Sequence, residues 1–198
     1  MRKALMCLTL LFLCQACKEE QETYPSIITE MADAYVNEHG VMFQIETDKG
    51  DVYALTNPQK DYKPNSVYRT LSGFVPQGPG TATLYQMKGV HILRDSTAIG
   101  HKDPTGILSA WRAGRYINLH LQPKTQGGTH YWGFTVDSVA QGKTWIGLHH
   151  KQNSDPLSYT QDLYASIPVD SIKAAQPGDS LIMTVATFNG LKTWTFKK

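Results

Sequence analysis

Apolar and polar residues alternate along much of the chain with a period of two, the mark of half-buried strands. Between Val41 and Thr47, Val41, Phe43 and Ile45 alternate with Met42, Gln44 and Glu46. Asp48-Lys49-Gly50-Asp51 reads as a turn, with Gly50 able to take positive φ, and Val52 to Thr56 returns as the partner strand. Asn57 to Asn65 holds Pro58 and Pro64 and reads as a loop. Ser66 to Val75, Thr81 to Met87 and Val90 to Leu93 resume the pattern around a second loop at 76–80. Ser26 to Val36 fits a strand or a short helix, because its periodicity does not decide. These segments make a first group of about five strands.

Asp95 to Gly106 is polar, contains Pro104 and lacks alternation, so it reads as a linker. Beyond it the strand pattern returns in Ile107–Trp111, Tyr116–Gln122, His130–Val139, Thr144–His150, Leu163–Val169, Leu181–Phe188 and Leu191–Phe196. Turn residues separate them at Gly127-Gly128, Gln141-Gly142 and Pro177-Gly178-Asp179. Asn189-Gly190 predicts a type I′ hairpin. Short strands with regular turns argue for a sandwich, and no stretch carries an amphipathic helix of three turns. The fold class is all-β. The expected organisation is a first β module over 25–96, a linker over 97–106 and a β-sandwich over 107–198.

The head of the chain has a different pattern. Arg2 and Lys3 precede an uncharged apolar run from Ala4 to Ala16, too short to span a bilayer as a helix. This is a secretory signal covering 1–16. Ala16 before Cys17 resembles the lipobox of bacterial lipoproteins. The resemblance implies a diacylglyceryl group on the Cys17 thiol, cleavage after Ala16 and acylation of the new amine, with palmitate as the type of chain added. Cys14 is a poorer site, since bulky Leu13 precedes it. Two or more acyl chains hold a protein stably on a membrane, whereas one does so only marginally. Lys18-Glu19-Glu20-Gln21-Glu22 lies in a polar tether over 17–24 and resembles the surface-export signal of Bacteroidetes-type lipoproteins. The expected location is the outer membrane, lipid-anchored and facing outward.

Cleavage leaves 182 of the 198 residues. The whole chain carries +2, and Arg2 and Lys3 account for both charges, so the mature chain is formally neutral. A neutral chain is a poor nucleic-acid binder. Of Cys7, Cys14 and Cys17, two leave with the signal and the third takes the lipid, so disulfides and thiolate metal sites are not expected in the folded part.

Ordered short motifs run through the mature chain. They are Asp48-Lys49-Gly50-Asp51-Val52-Tyr53, Asn57-Pro58, Ser66-Val67-Tyr68-Arg69, Trp111, Tyr116-Ile117-Asn118-Leu119, His130-Tyr131-Trp132-Gly133-Phe134 with Val136-Asp137, Tyr164-Ala165-Ser166-Ile167-Pro168 and Gly178-Asp179. In this order they resemble the NigD-like lipoproteins. The resemblance implies an N-terminal OB-type barrel and a C-terminal immunoglobulin-like β-sandwich. It brings no activity and no catalytic residues.

Candidate chemistry is sparse. Gly142-Lys143-Thr144 resembles the end of a phosphate-binding loop, but Asp137 stands where that loop needs Gly, and the segment joins two strands. It reads as a hairpin turn. Adjacent antiparallel strands could bring His130 near His149, with His150 next to it, but no His-Glu-x-x-His or Cys ligand accompanies them, and no metal or other cofactor is expected. No Glu follows Glu46, and Asp137, Asp155, Asp162, Asp170 and Asp179 mostly sit near turns, which weakens a two-carboxylate hydrolase. No catalytic residue is assigned. Trp111, Trp132, Trp145 and Trp194 fit core packing better than a sugar platform. The function read from the sequence is a non-enzymatic binding or accessory lipoprotein, with an envelope protein or a glycan as partner. Hydrolysis and an immunity-like role are the alternatives.

Overall fold

The computed structural model describes residues 26–96 and 100–198. The expectations for the signal 1–16, for Cys17 and for the tether 17–24 lie outside the described residues. Five strands close a barrel: β1 (Ile28–Val36), β2 (Met42–Thr47), β3 (Val52–Gln59), β4 (Val67–Gly78) and β5 (Thr81–Gly89). Their order is β1-β2-β3-β5-β4, with β3 and β5 parallel and the other neighbours antiparallel. This is the Greek-key order of an OB-type barrel. The segment left open between strand and helix is strand β1. Inward residues, among them Met42, Ile45, Leu55 and Phe74, fill the barrel.

Two barrel strands run past their expected ends. β3 continues through Asn57-Pro58 because the Asn57 side chain replaces a backbone rung. Its Nδ2 donates to the Leu84 carbonyl at 2.7 Å, and its Oδ1 accepts the Leu84 N–H at 2.9 Å. β3 and β5 share the backbone pairs Ala54–Thr81 and Leu55–Ala82. The Thr56 hydroxyl, 2.7 Å from that of Thr83, and this amide extend the seam. β4 continues through Pro76 to Gly78, with Pro76 beside a register shift, where a missing N–H is tolerated.

The rest of the chain builds the second module from β6 (His91–Ile92), β7 (Gly106–Ala113), β8 (Tyr116–Gln122), β9 (Lys124–Thr125), β10 (Tyr131–Ala140), β11 (Lys143–Lys151), β12 (Tyr159–Thr160), β13 (Leu163–Pro168), β14 (Ser180–Thr187) and β15 (Gly190–Lys197). One sheet has the order β6-β13-β8-β7 and the other β10-β11-β14-β15, with β9 and β12 as a small ribbon. Ile117, Leu119 and Leu121 of β8 face Phe134, Ile146, Leu148 and Leu181 in one core. The result is the expected immunoglobulin-like sandwich.

Three local expectations are corrected. Val90–Leu93 does not complete the barrel: His91 and Ile92 pair with Ala165 and Ser166 of β13 in the sandwich. The described parts of the stretch read as a linker run along β10 and β11. Arg94 and Ser96 exchange backbone hydrogen bonds with Phe134, and His101 and Asp103 do so with His150. A polar strap satisfies its backbone groups this way. Gly133 leaves room for it, since a Cβ there would stand 3.0 Å from the Arg94 carbonyl. The type I′ turn sits at Gln141-Gly142, where both residues have positive φ (49° and 69°), while at Asn189-Gly190 only the glycine does. That turn also settles Gly142-Lys143-Thr144 as part of a hairpin.

Candidate functional site

The two modules meet on the outer faces of their sheets. Along β8, Ile117 and Leu119 point into the core, so Tyr116 and Asn118 point toward the barrel. Ser166 of β13 does the same. From the barrel come Asp33 of β1 and Arg69 of β4, which are direct cross-strand partners. Arg69 is 5% exposed and Asp33 3%.

Every Arg69 nitrogen is engaged. Nε donates to Ser166 Oγ at 3.2 Å, Nη1 to Asp33 Oδ1 at 3.3 Å, and Nη2 to Asp48 Oδ2 at 2.7 Å and Asn118 Oδ1 at 3.0 Å. The guanidinium carbon lies 3.9 Å above the Tyr116 ring. Asn118 Nδ2 donates to Asp48 Oδ2, and Ser166 Oγ to Asn118 Oδ1, both at 2.7 Å. Arg115 Nη2 and the Tyr116 hydroxyl donate to Asp33 Oδ2 at 2.6 and 3.0 Å. Burial, reinforced by the Asp33 carboxylate, pushes the Tyr116 phenol up to about 12, so it remains a donor. Two guanidiniums face two carboxylates, and the joint is charge-balanced.

Gly114 brings the parts together. It opens the β7–β8 turn at φ 49°, and a Cβ on it would stand 2.7 Å from the Asp48 carbonyl. Both the backbone conformation and the close approach require glycine. The 47–50 turn is thus seated against the β7–β8 turn, with a recess on each side. One, of about 230 Å³, is polar and lined by Asp33, Glu46, Lys49 and Arg115. The other, of about 350 Å³, is lined by Met31, Leu71, Trp111 and Ala113, with Glu30 and Lys49 at its rim.

The histidines form a separate cluster in the sandwich. His130 does not meet His149, as expected from adjacency, because the register sets Trp132 opposite His150 and Gly133 opposite His149. His130 Nδ1 instead lies 2.9 Å from His150 Nε2, His150 Nδ1 3.1 Å from the Asp103 carbonyl, and His130 Nε2 3.0 Å from Asp155 Oδ2. A carbonyl and a carboxylate only accept, so His150 Nδ1 and His130 Nε2 each carry hydrogen. Burial lowers the His150 pKa to about 4, which keeps its ring neutral at pH 7. The Thr125 hydroxyl, which bonds the Asp155 carboxylate, is the main cause of its lowered pKa. Trp132 stacks on His150 at 3.9 Å and 9°.

His149 lies apart, with Nε2 3.0 Å from Thr135 Oγ1, and its pKa is lowered by burial and then by Lys102. Thr135 donates to Asp137 at 2.9 Å, and Asp137 pairs with Lys102 at 3.3 Å. Among the described residues no group of three or more His, Cys, Asp or Glu is placed to hold a metal ion. Of the tryptophans, Trp132 and Trp194 pack against the sandwich core, Trp145 is half-buried, and Trp111 lines the larger recess. Of the joint residues, Arg69, Asn118 and Ser166 lie in the motifs that carry the family resemblance but have no role assigned there, and Asp33 lies in none of them. The available signal was a polar residue inside an apolar run, as at Asn118.

Several solved structures share this architecture. A NigD-like immunity protein from Bacteroides caccae is 23% identical, with a TM-score of 0.68 over 87% of this chain and 93% of its own. A candidate toxin-related protein from Parabacteroides distasonis is 16% identical, with a TM-score of 0.71 and the same coverage. A candidate lipoprotein from Bacteroides fragilis is 11% identical, with a TM-score of 0.56 over 87% of this chain and 97% of its own. At these identities the likeness speaks to the fold. No curated protein matches the sequence. The model of the NigD-like C-terminal beta sandwich domain matches residues 89–198, more than half of the sequence, and the chain belongs to the NigD-like family.

Proposed function

We propose that the protein is a non-enzymatic binding or accessory module of the cell envelope, anchored through Cys17 at the outer membrane and facing outward. One observation carries the reading. Two β modules are joined by a buried, charge-balanced network, and the recesses along that joint are lined by both. Ligand sites favour such domain junctions. The lipobox at Ala16-Cys17 and the likeness to a candidate lipoprotein support the anchor. Envelope proteins and glycans both fall within this reading as partners.

Labelled palmitate should enter the wild-type chain and be absent from Cys17→Ser, and protease added to intact cells should digest the wild type. Native material free of fatty acid would contradict the anchor. Turnover in a broad hydrolase screen, lost in Asp155→Asn, would contradict the non-enzymatic role. The Bacteroides caccae relative, described as an immunity protein, favours a protective role as the second reading. A deletion strain more sensitive to bacteriocin would support it, and unchanged sensitivity would count against it.

A further inference from the structure

The barrel end built around the 76–80 turn carries almost no charge. The run from Thr70 to Met87, eighteen residues of β4, β5 and their turn, holds no Asp, Glu, Lys, Arg or His. Charged residues make up 18% of the sequence, so such a run would ordinarily hold about three. Ser26 to Thr29 and Val52 to Gln59 are uncharged too. Strand register brings the three segments together. Ile28 pairs with Phe74, Phe74 with Leu84, Gly78 with Thr81, and Thr81 with Ala54. The Ala54 N–H also donates to the Gly80 carbonyl at 2.8 Å, which seats the start of β3 against the 76–80 turn. Ile27 and Val52 are each 46% exposed there, and Pro76, Gln77 and Pro79 are exposed beside them. Of the nearest charges, Lys49 and Glu30 pair at 2.5 Å, and Asp51 lies on the turn between β2 and β3.

We infer that this end of the barrel rests on the bilayer that holds Cys17, an inference that depends on the anchor in the proposed function. The course of the chain identifies the occupant. Ser26, two residues before β1, stands nine residues after Cys17. Nine residues reach at most about 30 Å. The start of β1 is therefore the part of the fold nearest the attachment point along the chain, and it belongs to the uncharged end. A tethered surface meets its membrane at a high effective concentration, so a few apolar contacts suffice to hold it there. Ile27, Val52, Pro76 and Pro79 supply them. Charge is what such a contact penalises, since an ion carried toward hydrocarbon loses its hydration. The barrel keeps its buried charges, Asp33, Asp48 and Arg69, at the joint with the sandwich.

The test is spin-label depth measurement on the lipidated full chain in vesicles of phosphatidylethanolamine and phosphatidylglycerol. Cys17 is the one cysteine expected in the mature chain, and its thiol carries the lipid, so a nitroxide goes to an introduced cysteine. Gln77→Cys labels the turn. Val139→Cys labels β10, in the sheet remote from Asn118 and Ser166, where the barrel docks. The Gln77→Cys label should lie within about 10 Å of the phosphate level, and its collisions with an aqueous nickel chelate should be severalfold fewer than at Val139→Cys. Ile27→Asp combined with Val52→Asp should return the Gln77→Cys label to water, with unchanged circular dichroism. A Gln77→Cys label as open to the chelate as Val139→Cys, on a chain that still sediments with the vesicles, would overturn the inference and leave the anchor standing. A depth indifferent to the two aspartates would do the same. Protection of Gln77→Cys on cells but not on pure lipid would assign the surface to a protein partner and overturn the inference. A chain without fatty acid that stays in solution would overturn the anchor, and the inference with it.

Discussion

At the scale of single residues, Arg69 and His150 carry the clearest consequences. Arg69 is buried with four polar partners on four segments of chain, two of them on the other module. Removing one partner of a buried pair leaves an uncompensated charge and costs about 3–5 kcal/mol. Arg69→Met should therefore lower the unfolding free energy by about that amount in urea titration. Arg69→Met combined with Asp33→Asn should cost less than the two single changes added together, because each then removes the other's stranded charge. His150 predicts a pH dependence. Its ring stays neutral in the fold down to about pH 4, while in the unfolded chain it takes a proton near its ordinary value of 6.5. Its contribution is full above about pH 6.5 and is lost as pH falls toward 4. His149 is lowered too and acts in the same direction. Asp155, held below its ordinary value of 3.8, loses its contribution only in stronger acid. Melting temperatures between pH 8 and 4 should decline below about pH 6.5, and less so in His150→Gln.

At the scale of elements, the strands were legible and their trimmings were not. Val41–Thr47 predicts a strand and β2 occupies Met42–Thr47, although a register shift beside Gln44 turns Met42 into the core and leaves Phe43 exposed. Alternation reports which face is buried, however, and not what buries it. Asn118 reads as a solvent-facing residue of β8, yet it is fully buried, because the covering layer is a barrel coded far away in sequence. The same limit applies at Asn57. The dipeptide Asn57-Pro58 has the chemistry of a turn. A side-chain amide can also imitate a backbone rung, which depends on where Leu84 lies. Asn57→Ala removes both of these bonds from the barrel seam and should cost about 1–3 kcal/mol, read from the urea midpoint. Asn189-Gly190 shows a third kind of limit. Turn type follows strand twist and register, and here the left-handed pair fell to Gln141-Gly142 instead. The polar segments 94–96 and 101–103 lack alternation because they touch β10 and β11 through their backbone.

At the scale of the whole molecule, the segments that carried the family resemblance supply the joint: Asp48, Arg69, Tyr116, Asn118 and Ser166 all lie in those motifs. Two modules that could stand apart are thereby held as one body. The recesses at the joint depend on that, since Trp111 and Gly114 come from one module and Leu71 and Asp48 from the other. Differential scanning calorimetry of the wild-type chain puts this to its most direct test. One transition, with calorimetric and van't Hoff enthalpies in agreement, is the predicted result, and it should split or broaden in Arg69→Met. Two separate transitions in the wild type would mean that the modules fold and move independently.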